Sequence, residues 1–164
     1  MKLIPILSIA ALLIATGNVY SQSSENEREH VDQAVKDAES SIKDVPVDAT
    51  FTLKGGAAAA GVGYVWGSGK IAYQGGSHAF SIKGLSVVDI GGSHIDATGI
   101  VLHLQNLSDF AGNYTSFAGG ATVAGGASAV YLKNEHGVVV KVISKTTGLR
   151  FNMSTGQIVV KLKS

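Results

Sequence analysis

Residues 75–94 read GGSHAFSIKGLSVVDIGGSH and carry the clearest structural signal in the chain. Phe80 and Ile82 alternate with Ser81 and Lys83, which is the two-residue period of a strand with one buried face. A Gly-Gly pair stands at each end, and such pairs mark tight turns. The tetrapeptide GGSH recurs after sixteen residues, a length that suits one hairpin unit with each pair at a turn. The stretch therefore predicts antiparallel β-structure.

The same period extends over most of the chain after residue 49. It returns in residues 149–153 and 158–163, and in residues 100–105 it predicts that Ile100, Leu102 and Leu104 share the buried face. Turn signals between these segments indicate nine or ten short strands. Closure removes exposed strand edges. The predicted fold is all-β, an antiparallel meander closed or nearly closed into a small barrel and preceded by one N-terminal amphipathic helix.

Two stretches consist mainly of Gly, Ala and Val and end in aromatic residues. They are residues 55–66 (GGAAAAGVGYVW) and 117–131 (FAGGATVAGGASAVY), and they resemble a degenerate internal repeat. Strands with small side chains permit close packing and sharp bending of a sheet, which is the favoured interpretation. The alternative is a smooth apolar wall for a flat or acyl ligand.

The predicted helix precedes the barrel. Residues 24–27 have capping-box spacing, and Pro46 ends the helix. One narrow apolar stripe runs along it: Val31, Ala34, Val35, Ala38 and Ile42. Since two of these residues are alanines, weak docking is expected, and a solvated helix is the favoured interpretation. The alternative is an acidic helix lying against a basic barrel.

The N-terminus has the three-part plan of a secretory signal. Lys2 precedes an apolar run over residues 3–15, and residues 19–21 fit a cleavage site. The run is short for a bilayer span, which needs about 20 residues, although an uncleaved anchor is the alternative. The expected organisation is a signal peptide (1–21), an acidic helix and linker (22–48), and a glycine-rich β domain (49–164). A periplasmic or secreted location follows.

Composition and charge restrict the function. The 164 residues include no cysteine, which excludes disulfides, thiol catalysis and thiolate metal sites. Residues 22–48 carry eight acidic and three basic residues, a balance of −5, and residues 49–164 carry four acidic and nine basic residues, a balance of +5. The cations are scattered with few aromatics between them, so no nucleic-acid partner is expected.

Motifs for catalysis are absent from the sequence. Ser77 and Ser93 lie in GGSH and not in a Gly-x-Ser-x-Gly elbow. The four acids of the β domain show no spacing that suggests acid–base chemistry. His78, His94 and Asp96 raise the alternative of a metal-dependent enzyme, but their spacing matches no ligand signature. The prediction is a non-enzymatic protein with no metal and no cofactor.

The segment from residue 61 to 162 resembles small exported bacterial proteins of unknown function. The resemblance is carried by turn and packing residues: GLSV at 84–87, ATG at 97–99, NL at 106–107, G-x-Y at 112–114, TVAGG at 122–126 and N-x-x-GVV at 134–139. It is also similar in style to the SYLF lipid-binding domain and to the envelope-integrity-protein A family. The resemblance implies a Gram-negative envelope protein, and the SYLF likeness implies binding of anionic phospholipids.

The first functional hypothesis is therefore an envelope protein that binds lipid or another apolar or anionic component, with anionic lipid or an envelope polymer as partner. The two Gly/Ala-rich stretches would form apolar walls that accommodate the apolar part of such a ligand. Outward positive charge would come from six ligand-binding candidates: Lys70, Lys83, Lys141, Arg150, Lys161 and Lys163. The alternatives are a structural or partner-binding module with a packed core, and a transmembrane β-barrel, which would need longer strands with aromatic girdles.

Overall fold

The computed structural model describes residues 29–30, 32–59, 63–86, 91–123, 127–144 and 157–164. The predicted signal peptide, the predicted start of the helix near residue 24 and the predicted strand at 149–153 lie outside these residues. Eight strands are described, together with a helix, α1, over residues 32–42. The strands are β1 (Ala49–Ala59), β2 (Gly63–Tyr73), β3 (Gly76–Ser86), β4 (Gly91–Leu102), β5 (Gly112–Val123), β6 (Ala127–Asn134), β7 (Val139–Ser144) and β8 (Gln157–Leu162).

The strands close into an antiparallel barrel, which confirms the predicted fold class. Their order around the barrel is β1-β2-β3-β8-β5-β6-β7-β4, and β4 returns to β1. Two runs are simple meanders, β1-β2-β3 and β5-β6-β7. However, β8 lies between β3 and β5, and β4 pairs with β1 and β7 instead of β3. The order therefore departs from a simple meander at these two strands.

The β2–β3 hairpin shows how the local sequence sets a turn. Gln74 and Gly75 have φ values of 46° and 79°, and Tyr73 pairs directly with Gly76. Two positive φ angles in a two-residue loop are the pattern of a type I′ turn, whose twist matches that of the flanking strands. The predicted turn is confirmed, with Gly76 already the first residue of β3.

An aromatic cluster fills the end of the barrel at which β1 begins. Phe51 and Phe80 meet edge to face at 5.9 Å, and Phe110 lies 5.1 Å from Phe80 and 6.3 Å from Tyr114. Phe110 belongs to a short 3-10 helix (Leu107–Phe110) between β4 and β5. Its carbonyl accepts a 2.9 Å hydrogen bond from the Tyr114 hydroxyl. This end of the barrel is closed by packed rings.

Glycines opposite these rings make the packing possible. A Cβ added at Gly99 would overlap the Phe51 ring and the backbone carbonyl of Lys141. A Cβ at Gly69 would lie 2.6 Å from the Phe80 ring, well inside normal contact. The high glycine content thus allows a barrel of eight strands to hold large aromatic side chains inside.

The predicted buried face of residues 100–105 is confirmed for Leu102 and Leu104, which are buried, and is wrong for Ile100, whose neighbour Val101 is buried instead. Within β4 the inward positions include Ile95, Ala97 and Val101, whereas Ile100 faces outward and is only partly buried. An uninterrupted apolar run does not indicate which alternate residues face inward. Leu104 is nevertheless buried, because β4 ends at Leu102 and His103 adopts a φ of 60°, which redirects the chain.

Helix α1 packs against the outside of the barrel, so the favoured interpretation of a solvated helix is wrong. Val35 and Ala38 are buried against Ala118 of β5 and against Ala129 and Tyr131 of β6. Ala34 and Ile42 pack at the edge of this contact, as the apolar stripe predicted. Val31, the first residue of the stripe, lies outside the described residues. The alternative interpretation, an acidic helix against a basic barrel, is the one that the structure supports.

Candidate functional site

Four of the six predicted cationic residues lie together on one outer face. In the pairing of β2 with β3, Trp66 lies opposite Lys83 and Lys70 lies opposite Ala79. In the pairing of β3 with β8, Ser81 lies opposite Lys161, and the amide of Lys163 donates to the Ala79 carbonyl. We call this surface of β2, β3 and β8 the lysine–aromatic face, defined by Tyr64, Trp66, Lys70, Lys83, Leu85, Lys161 and Lys163.

The same face carries three large apolar side chains that remain accessible to solvent. Tyr64 and Trp66 are each 44% exposed, and Leu85 is 58% exposed. Tyr64 and Leu85 are direct cross-strand partners, and the Tyr64 and Trp66 rings stack with centroids 5.9 Å apart. Buried apolar side chains stabilise a fold, whereas a contiguous exposed group of them marks an interaction surface.

Glycine on the neighbouring strand fixes the position of the indole. Gly56 of β1 is the cross-strand partner of Trp66, and a Cβ added there would lie 2.9 Å from the Trp66 Cζ2 atom. The ring therefore lies flat on the backbone of β1, an arrangement in which an aromatic side chain covers a strand glycine. The Gly55–Gly56 pair, predicted to serve packing, also supplies this platform.

The strands on this side of the barrel carry charge of a single sign, although Asp96 of the neighbouring β4 lies opposite Lys54 of β1. Strands β1, β2, β3 and β8 contain no Asp or Glu within their bounds, and their lysines are joined by Lys163 just beyond β8. The described acidic residues belong to other segments, above all to α1 and the turn that follows it. The lysine–aromatic face is therefore positively charged, and the strands that form it contain no acidic residue to offset that charge.

The barrel interior offers little space to a ligand. The described residues enclose a cavity of about 50 Å³ between the aromatic cluster and smaller residues such as Ala97 and Val130. Pockets for small molecules measure roughly 300–1,000 Å³. The hypothesis that Gly/Ala walls admit an acyl group inside the barrel is therefore not supported by the described part of the chain.

Lys141 does not belong to the lysine–aromatic face. Its Nζ atom lies 2.9 Å from a Glu39 carboxylate oxygen and 5.3 Å from the centroid of the Tyr131 ring. The Tyr131 hydroxyl donates to the same oxygen at 3.0 Å. These hydrogen bonds, first that from Lys141 and then that from Tyr131, hold the pKa of Glu39 below its ordinary value. Lys141 therefore anchors α1. Arg150, the sixth candidate, lies outside the described residues.

The histidine motifs lie far apart. Because β3 and β4 run in opposite directions, the two GGSH segments stand at opposite ends of the barrel, and the two strands are not neighbours. His94 and Asp96 are exposed on β4, whereas His78 is partly buried near the start of β3. No group of three or more metal-ligating side chains occurs among the residues that the structure describes.

A polar groove of about 370 Å³ lies at the aromatic end of the barrel, where the sequence predicted no site. Its charged wall includes Lys133 and Asp109, but the Asp109 carboxylate already accepts hydrogen bonds from the backbone and side chain of Asn106. Its lining residues are His103, Gln105, Asp109, Lys133, His136, Gly137 and Val139. They come from two stretches distant in sequence, residues 103–109 and 133–139, so no local motif could have indicated the groove.

The apolar and aromatic members of the lysine–aromatic face were also not identified as functional residues from the sequence. From the sequence, Tyr64 and Trp66 lie at the end of a Gly/Ala-rich stretch, and Leu85 belongs to a motif of turn and packing residues. A usable signal was present: the strictly alternating Tyr64, Trp66, Ser68 and Lys70 share one face of a strand whose other face is Val, Gly and Ile.

Comparisons with known proteins support the architecture. A crystal structure of a β-barrel-like, uncharacterized protein from Brucella abortus matches this chain with a TM-score of 0.51 and 25% sequence identity. The match covers 68% of this chain and 71% of that one. No family model matches the chain, and the comparison with curated proteins found no match. Within the described residues, no helix is long and apolar enough to cross a membrane.

Proposed function

We propose that the protein is a non-enzymatic, exported module that binds an anionic component of the cell envelope through its lysine–aromatic face. The observation that carries this proposal is the coincidence of exposed Tyr64, Trp66 and Leu85 with four lysines on strands that contain no acid. The ligand-binding residues proposed for this face are Lys70, Lys83, Lys161 and Lys163, in the periplasm or outside the cell.

The tight packing of the barrel interior favours a binding site on the outer surface of the barrel. The interior cavity of about 50 Å³ is too small for an acyl chain, whereas the outer face is accessible along three neighbouring strands. Each lysine close to an anionic membrane surface contributes about 1 kcal/mol. Four lysines therefore supply about 4 kcal/mol at low salt, before any apolar contact is counted.

Flotation with vesicles tests the proposal. We expect the protein to float with vesicles that contain phosphatidylglycerol at low salt, and to float poorly with phosphatidylcholine alone or at high salt, because salt screens exposed charges. A soluble anionic polymer, polyglutamate, tests the polymer as partner in the same buffers. The variant Lys83→Glu/Lys161→Glu should bind at least about 100-fold more weakly, since two reversals remove attraction and add repulsion.

The matched control is Lys43→Glu/Lys133→Glu, which changes the net charge equally but lies on the turn after α1 and on β6. It should retain most of the binding. Equal losses in both double variants would mean that net charge and not this face drives binding. Absence of binding to vesicles and to polymer would reject the proposal.

A structural or partner-binding module with a packed core is the second candidate. The filled interior favours it, since such a module needs no ligand cavity. If this candidate is correct, the purified protein should bind neither vesicles nor polyglutamate. Leu85→Ser or Trp66→Ser should instead abolish its association with a protein partner in cell extract.

A further inference from the structure

The arrangement of side chains along the lysine–aromatic face has a direction. Tyr64 and Leu85 form the row nearest one end of the barrel, and Trp66 and Lys83 form the next. Two rows further, Lys70 and Lys163 flank Ala79. Since strand residues rise about 3.4 Å each, the distance along the strand from Trp66 to Lys70 is about 14 Å. Along the strands the face therefore changes from a row without charge, through a mixed row of Trp66 and Lys83, to rows whose only large side chains are lysines.

This order is the one that a bilayer surface selects. Tyr and Trp concentrate at the boundary between acyl chains and headgroups, where one part of the ring is apolar and the other polar. Lysine stems cover apolar surface while their ammonium groups reach the phosphates. A soluble polyanion would use the lysines alone and would leave Tyr64, Trp66 and Leu85 without a role.

We infer that Tyr64, Trp66 and Leu85 insert into the headgroup region of an anionic bilayer, with the barrel tilted so that the end carrying Tyr64 and Leu85 lies deepest and the lysines reach the lipid phosphates. This inference rests on the proposed function and specifies its partner and mode of binding. The indole is already placed for insertion, because Gly56 and the Tyr64 ring hold it flat on the barrel before any lipid is present. Little side-chain freedom is then lost on binding.

The chain carries its own reporter of insertion, because Trp66 is its single tryptophan. The full chain is used as it is purified after expression with its native N-terminus, so that any processing has already occurred. Vesicles of phosphatidylglycerol and phosphatidylcholine are added, and the emission of Trp66 is recorded. We expect a blue shift, and we expect quenching by lipids brominated near the top of the acyl chain to exceed quenching by lipids brominated near its end.

Two variants separate insertion from adsorption. Leu85→Ser removes an apolar side chain from the inserted row and should lower vesicle affinity about fivefold to tenfold, since burial of such a side chain accounts for a change of this size. Val47→Ser is the matched control: Val47 is 51% exposed and precedes β1 at the opposite end of the barrel. The affinity of the Val47→Ser variant for vesicles should not change.

The outcomes distinguish this inference from the proposed function. Flotation with anionic vesicles without any blue shift or bromine quenching would overturn insertion and leave binding through the lysines intact. Binding to polyglutamate but not to vesicles would overturn the bilayer as partner. Equal effects of Leu85→Ser and Val47→Ser would also contradict the inference, because the apolar row would then have no special role.

Discussion

Asn134 shows how one buried polar side chain joins separate parts of the barrel. Its amide nitrogen donates to the Asp109 carbonyl at 2.7 Å, which ties β6 to the 3-10 helix. Its side-chain oxygen accepts from the amides of His136 and Val138, each at 3.0 Å. The sequence indicated a turn at this position, and the structure adds a hydrogen-bonded link between that turn and the segment that carries Phe110.

Asn134→Ala should therefore lower the free energy of unfolding by about 2–4 kcal/mol, because three hydrogen bonds are lost and buried groups lose their partners. Chemical denaturation of the variant measures this change. Asn113→Ala is the control, since that amide is exposed and bonds Glu135 at the surface. A loss of less than about 0.5 kcal/mol is expected there, and similar losses in the two variants would contradict the role assigned to Asn134.

Among the elements, α1 is attached to the barrel by few contacts within the described residues. Two buried side chains, Val35 and Ala38, hold it on β5 and β6, and Glu39 adds the ion pair with Lys141. The Glu39 side chain is 45% exposed, so solvent screens the ion pair, and the pair contributes about 0.5–1 kcal/mol. The helix is thus attached by a small apolar contact and one charged contact.

The attachment should depend on pH with a definite sign. Because the hydrogen bonds from Lys141 and Tyr131 lower the pKa of Glu39 in the folded state, the stabilisation is present above the ordinary carboxyl pKa. It is lost as the pH falls through the lowered value. Hydrogen exchange of the peptide that covers residues 32–42 should accelerate in that range relative to its intrinsic rate.

Glu39→Gln provides the test of this assignment. The variant should show faster exchange of α1 at neutral pH and no further change, beyond the intrinsic rate, through the acid range. Asp37→Asn is the control, because Asp37 is exposed and accepts a hydrogen bond from Gln33 within the helix. Persistence of the acid dependence in Glu39→Gln would show that another group releases the helix.

At the scale of the whole molecule, charge is separated across the barrel. Helix α1 lies over β5 and β6, and β6 is four positions from β2 in the closed ring of eight strands. The acidic helix and the lysine–aromatic face therefore lie on different sides of the barrel, although β8, at the edge of that face, pairs with β5. In the field of an anionic surface this separation orients the molecule before contact, because one side is attracted and the other repelled.

Labelling at single sites checks that orientation, and the absence of native cysteine makes the labelling specific. Ser68→Cys places an environment-sensitive dye on β2 between Trp66 and Lys70, and Ser40→Cys places it on α1. With anionic vesicles the dye at position 68 should shift to the blue and the dye at position 40 should remain in water. A shift at position 40 alone would reverse the proposed orientation.

The local sequence was sufficient for the β class, the hairpin turn at Gly75, the apolar stripe of α1 and the segregation of charge between residues 22–48 and the rest. These features depend on the period of the backbone and on the φ angles of a few residues, and both are determined by residues close together in the sequence. The order of strands was not accessible in this way. Whether Lys161 stands beside Lys83, or His78 beside His94, depends on pairing between strands distant in sequence. That pairing unites four lysines with Trp66, assigns Lys141 to Glu39 and separates the histidines.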